Sequence, residues 1–191
     1  MSLTPALRIG LWNAWIFMFI FAIQMLVMAF VGKDVRERSH IPKEFRRNRF
    51  ERYTGTTANI LWLLALAYSV FLPFQFATVW FYVGLLIFVV GAILMTTATF
   101  DFIAVNPDQV ITKGAYKISR HPMYLAIILI CMGAGIASLS FLLIFLTILM
   151  AFCLHREALI EERYCLGKYC GAYQEYLNNV PRWIGVPAKM E

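Results

Sequence analysis

Three long stretches of this chain contain no Asp, Glu, Lys or Arg. They are Ile9–Gly32, Tyr53–Phe100 and His121–His155, of 24, 48 and 35 residues. A helix that crosses hydrocarbon needs about 20 mostly apolar residues, each rising 1.5 Å. The first stretch fits one span, over 9–32, with Asn13 and Gln24 as polar interruptions. The second fits two, over 55–73 and 77–100, with Pro73 and Gln75 in FLPFQF marking the turn. The third is long for one span and short for two. Gly133, Gly135, Ser138 and Ser140 cluster near its middle. The expected solution is a tight hairpin of two short helices, over 122–136 and 139–156; one long tilted helix is the alternative. Small residues there also let two backbones approach closely.

Composition agrees. Residues are 61% hydrophobic and 15% charged, against roughly 25% charged in a soluble domain. An ordinary soluble enzyme and a disordered chain are both excluded. Four cysteines in 191 residues do not make a disulfide scaffold. The chain therefore reads as one all-α integral membrane domain over 1–191. It has about five transmembrane helices, the last two a hairpin, followed by a cytoplasmic C-terminal amphipathic helix.

Five spans place Lys33–Arg52, Asp101–Arg120 and Arg156–Glu191 on one face. These segments hold 8, 3 and 5 Lys or Arg residues, 16 of the 17 in the chain. The positive-inside rule makes that face cytoplasmic, at the plasma membrane in a prokaryote or the endoplasmic reticulum in a eukaryote. The net charge of +6 then describes a rim against anionic membrane lipids, and no nucleic-acid partner is expected. The first apolar run reads as a retained helix, because it is long, lacks a small-residue cleavage site and has its basic residues after it. Cys131 and Cys153 read as packing residues. Cys165 and Cys170 do not have zinc-site spacing, and no metal centre is expected. Nothing in the pattern specifies an oligomeric state.

Three polar segments could carry chemistry. KDVRERSHIPKEFRRNRFERYTG, between the first two spans, reads as a basic surface helix lying on headgroups. VITKGAYKISRHPMYL precedes the hairpin. Gly114 permits a tight turn there, and Pro122 suits the first position of a helix. Arg120 and His121 then sit at a helix mouth with Tyr116 and Tyr124 around them. Each alone is an ordinary interfacial residue; together they converge. HREALIEERYCLGKYCGAYQEYLNNVPRW follows the last span. It reads as an amphipathic helix with Cys165, Tyr169, Tyr173 and Tyr176 on one face. Glu161 and Glu162 are either solvated or acceptors for a ligand's donors. Adjacent helical residues point about 100° apart, so which glutamate matters stays open.

The pattern G-x-Y-x-x-x-R-H-P-x-Y, a hydrophobic hairpin, then E-E with Tyr173 and Tyr176 behind it, resembles the isoprenylcysteine carboxyl methyltransferase family. Membrane phospholipid methyltransferases are related to that family. The resemblance runs over about 110–183. Gly114, Tyr116, Arg120, His121, Pro122 and Tyr124 complete its first half; Cys165, Tyr169 and Cys170 depart from the usual Leu, Phe and Gly in its second.

The resemblance implies an S-adenosylmethionine (SAM)-dependent methyltransferase that releases S-adenosylhomocysteine (SAH). Its acceptor would be a lipophilic small molecule or lipid-modified partner entering from the bilayer. Val110, Gly114, Tyr116, His121, Tyr124, Glu161 and Glu162 would bind the cofactor; His121, Arg156 and Glu162 are the catalytic candidates. The family's carboxyl methyltransferases tend to carry an Arg four residues before the glutamate pair, to meet the substrate carboxylate. Here Glu157 holds that place and Arg156 precedes it. Either a local irregularity brings Arg156 round, or the acceptor is not a carboxylate. The alternatives are a phospholipid amine N-methyltransferase, a nicotinamide-dependent reductase with a similar pocket, and a non-enzymatic helical membrane protein.

Overall fold

The computed structural model describes residues 6–33, 35, 41–42, 45–106 and 108–185. Their regular structure is helical, with one isolated bridge between Asn13 and Pro73. The helices are α1 (Trp15–Phe30), α2 (Arg49–Ser69), α3 (Val79–Ala104), α4 (Pro122–Ala137), α5 (Phe141–Tyr169) and α6 (Gly171–Asn179), with a 3₁₀ turn at Gly114–Lys117. Of the expected surface helix between the first two spans, positions 34, 36–40 and 43–44 lie outside the described residues, and its last part, from Arg49, is the start of α2.

Local chemistry explains where these helices begin and end. The first starts at Trp15, not at residue 9, because Asn13 is committed elsewhere. Its side-chain amide donates to the carbonyls of Arg8 and Val70 at 2.5 and 2.6 Å, tying the entering chain to the α2–α3 turn. Helix α2 starts six residues ahead of expectation on a capping box. The Asn48 side chain accepts from the Glu51 N–H at 2.8 Å, and the Glu51 carboxylate accepts from the Asn48 N–H at 2.9 Å. Thr78 caps α3 by accepting from Phe81 N–H.

The hairpin is present. Pro122 opens α4, and the chain turns through Leu139 at φ 51°, outside the range a branched side chain favours. Ser140 caps α5 by accepting from Leu143 N–H at 3.3 Å. Helix α5 then runs unbroken for 29 residues, well past residue 156. Its apolar part ends at Leu154, and from His155 onward it carries the polar residues of the site.

Two helices, α3 and α5, are long and apolar enough to cross a membrane; α1 and α4 are apolar but shorter. Only 17% of the most apolar stretch of α3 is buried, and Leu86, Ile93 and Phe100 point outward at 60% exposure or more. A contiguous apolar exterior of this kind suits lipid, not water. Inside, α3 meets α4 through glycine. A Cβ on Gly84 would lie 2.5 Å from the Gly133 oxygen and the Ala137 nitrogen, so only glycine allows that approach.

A second, smaller core lies at the polar end, where Tyr173, Tyr176 and Val180 pack on Ile111, Ala115 and Tyr116. The Tyr176 hydroxyl donates to the Tyr116 carbonyl at 2.7 Å. This core presses α6 onto the turn that precedes α4.

Candidate functional site

The turn before α4 is built by α3 and by the chain's C-terminal stretch. Asp101 on α3 accepts from Ala115 N–H at 2.8 Å. Gly114 adopts φ +54°, and any side chain there would collide with the Asp101 carboxylate. From the other side, Ser119 donates to the Arg182 carbonyl at 2.8 Å, and Arg120 N–H donates to the Pro181 carbonyl at 3.0 Å. The Arg120 guanidinium also donates to the carbonyls of Leu177 and Val180. These bonds present His121 and Tyr124 to the polar end of α5.

There the adjacent glutamates divide their work over one imidazole. His121 Nδ1 faces Glu161 Oε2 at 3.3 Å, and Nε2 faces Glu162 Oε1 at 3.3 Å. The Tyr124 hydroxyl donates to the other Glu161 oxygen, and its ring stacks on His121 at 6° between planes. Glu162 is the hub of a buried ionic cluster. It accepts from Arg120 Nε at 3.0 Å and from Arg182 Nε and Nη2 at 2.9 and 2.7 Å, at 5% exposure.

The electrostatics follow from that wiring. Burial opposes charge on His121, but hydrogen bonds to Glu161 and Glu162 outweigh it and raise the pKa above the ordinary 6.5. Burial opposes ionisation of Glu162 too, yet His121, Arg182 and the charge of Arg120 hold its pKa down at about 2. A raised folded pKa gives His121 a stabilising contribution that is full below 6.5 and lost as pH climbs through the folded value. The lowered pKa gives Glu162 a contribution present above its ordinary 4.5 and lost as pH falls toward about 2. The melting temperature in detergent should therefore fall as pH rises above about 6.5, and His121→Asn should flatten that limb and also narrow the acid one, because His121 helps to hold the Glu162 pKa down. A wild-type melting temperature level above that pH would contradict this.

A cavity of about 690 Å³ opens beside the cluster. Val110, Tyr116, His121, Tyr124 and Glu161 line it, as do Tyr173 and Tyr176 from α6. Two expected lining residues act from behind the wall instead: Gly114 makes room for Asp101, and Glu162 holds the cluster together. A second cavity, of about 1110 Å³, meets the first at Tyr124 and Glu161 and is bordered by Arg47, Trp62 and Glu157. Arg156 borders neither cavity. Its guanidinium lies over the Phe50 ring, 5.4 Å from the centroid, and the unbroken α5 offers no irregularity that would turn it inward. Glu157 faces the second cavity in its place, paired with Arg47 at 3.2 Å.

Sequence reasoning missed Arg182 and Arg47. Both act through tertiary contacts with α5, and neither sits in a local pattern that marks it.

Apolar helices with an outward lipid-facing surface, and a polar pocket where two motif halves meet at one end, describe a helical membrane protein with a small-molecule site. The family model for phospholipid methyltransferases matches residues 74–171, from the turn before α3 to the first residue of α6. The chain belongs to this family, to which the isoprenylcysteine carboxyl methyltransferases are related, and is thereby a membrane methyltransferase. No curated protein matches it.

Proposed function

We propose that this chain is a SAM-dependent methyltransferase acting on a lipophilic acceptor, like the isoprenylcysteine carboxyl methyltransferases in its pocket but without their arginine placed for a substrate carboxylate. It works at the cytoplasmic face of a five-span bundle. The observation that carries the reading is the cavity where the two motif halves meet, closed by the Glu162 cluster.

The residues present suit the cofactor. The volume is in the usual range for a small-molecule site, about 300–1,000 Å³. Glu161 offers a carboxylate to hydroxyl or ammonium donors. The rings of Tyr116, Tyr124 and Tyr173 offer cation–π attraction of about 0.5–2 kcal/mol to a sulfonium. When bound, SAM supplies an electrophilic methyl and needs no metal.

The chain's own part is positional. His121 orients Glu161 through its Nδ1, 3.3 Å from Oε2. Arg120, Arg182 and Glu162 lock the C-terminal stretch over the pocket and keep bulk water out. Alignment of two reactants in such a pocket is worth about 7–11 kcal/mol of barrier. The second cavity, joined to the first at Tyr124 and Glu161, is where an acceptor headgroup would lie.

The test is thermal stability of the detergent-purified protein with SAM, SAH or NADPH. SAH at 100 times its dissociation constant should add about 2.7 kcal/mol, and NADPH should add nothing. Tyr124→Phe and Glu161→Gln should weaken SAH at least about tenfold, or 1.4 kcal/mol, while the protein stays folded. A response to NADPH alone would transfer the pocket to a reductase. Indifference to all three ligands would leave a non-enzymatic membrane protein.

A further inference from the structure

One face of α5 grips the C-terminal stretch twice. His155 and Glu162 stand seven residues apart, about two turns of helix, and so share a face. Glu162 takes Arg182, and His155 takes the next residue: the Trp183 indole N–H donates to His155 Nδ1 at 3.2 Å. The turn before α4 holds the same stretch from the other side, through the carbonyls of Pro181 and Arg182. Trp183 is thereby brought to both imidazoles. Its ring centroid lies 6.1 Å from that of His155 and 6.2 Å from that of His121. His121 is the ring that meets Glu161 and Glu162 at once. What fixes Trp183 therefore helps to fix the Glu161 carboxylate at the wall of the first cavity.

The Trp183 bond dictates the state of His155. An indole N–H can only donate, so Nδ1 must present a lone pair and the imidazole must be neutral. A proton on Nδ1 would set one N–H against another. Burial opposes that proton, and so do Arg182 on the C-terminal stretch, Arg156 on α5 and His121 at the start of α4; Glu162 favours it. The sum holds the His155 pKa below the ordinary 6.5. His121 has its pKa above 6.5, so it is already protonated where His155 takes its proton. The two histidines titrate on opposite sides of that value.

We propose, on the methyltransferase reading, that His155 is a positioning residue of the cofactor pocket: its neutral imidazole holds Trp183, and through Trp183 the His121 ring that orients Glu161, so that protonation of His155 releases this support and weakens cofactor binding.

The test uses the full chain in nanodiscs. SAH affinity is read by calorimetry between about pH 6.5 and about pH 5, where His155 titrates and His121 does not. The indole N–H resonance of Trp183 is followed over the same interval in protein labelled with nitrogen-15 tryptophan, and is identified by its loss in Trp183→Phe. In the wild type, SAH affinity should fall at least about threefold, the scale of one lost hydrogen bond, and the resonance should move with the same midpoint. His155→Leu should weaken SAH at every pH in the interval. His155→Asn, whose amide oxygen can accept from the indole but does not titrate, should restore the affinity and remove the slope. Trp183→Phe keeps a ring without the donor; it should bind more weakly, without slope, and carries the test if the His155 variants do not fold. A level wild-type profile, or a slope that survives in His155→Asn or Trp183→Phe, would overturn the proposal. SAH binding with an indole resonance that does not titrate would sink this inference alone. No SAH binding at any pH, with a resonance that still titrates and is silenced in His155→Asn, would sink the methyltransferase reading and leave the His155–Trp183 contact standing.

Discussion

Glu162→Ala should cost about 3–5 kcal/mol of stability, the range seen when one partner of a buried ion pair is removed, and should abolish the response to SAH. The magnitude follows from what the carboxylate holds. Arg120, Arg182 and His121 all converge on it within 3.3 Å, and it is 5% exposed. Without it, three donors face one another with little water to separate them. Arg120 also anchors the C-terminal stretch through the carbonyls of Leu177 and Val180, so repulsion there should lift that stretch off the pocket.

The neighbouring variant is the control. The Glu161 side chain is 34% exposed, and water can solvate what its removal uncovers. Glu161→Ala should therefore show mainly in ligand affinity and little in melting temperature. The two adjacent glutamates separate in one pair of measurements, thermal unfolding in detergent with and without SAH. A Glu162→Ala protein that melts like the wild type would mean that the cluster is not what closes the site.

How much of this was legible in the sequence depends on whether the cause is local. The uncharged stretches contain most of each apolar helix among the described residues, because desolvating a charge in hydrocarbon is a penalty any order of contacts must respect. Small residues marked the hairpin turn correctly. The first turn of α2 was missed although Asn48 and Glu51 stand three apart, because the basic residues around them dominated the reading. In the sequence the polar half of α5 looks like a separate amphipathic helix, because charge marks the end of a span. In the site, Tyr124, His121 and the glutamate pair meet in one cluster, residues that only the family resemblance names together. The roles within it were not legible: adjacent glutamates on a helix diverge, and only the position of one imidazole between them shows that both are used. Arg182, Arg47 and the Glu51–Arg163 pair, with both contacts at 3.0 Å, depend on segments brought together by the whole fold. No local pattern encodes them.

Gly114 shows the same difference between a motif position and its physical cause, and it yields the second large effect. The family pattern suggests a glycine that makes room for a ligand. The structure shows one that makes room for Asp101. Gly114→Ala would force an L residue into the left-handed region, at about 1–2 kcal/mol. It would also displace the carboxylate that accepts from Ala115 N–H, at about 1–3 kcal/mol for the donor left behind. A loss of about 2–5 kcal/mol is expected on those two costs together. The turn carries Tyr116 on one side and leads to Arg120 and His121 on the other, so SAH affinity should fall with stability. The double variant Gly114→Ala/Asp101→Ala separates the terms. It relieves the collision but keeps the backbone strain, so its total loss should be smaller than the sum of the two single losses, as expected for residues in contact. Additive losses, or a Gly114→Ala protein as stable as the wild type, would show that Asp101 is not the reason for the glycine.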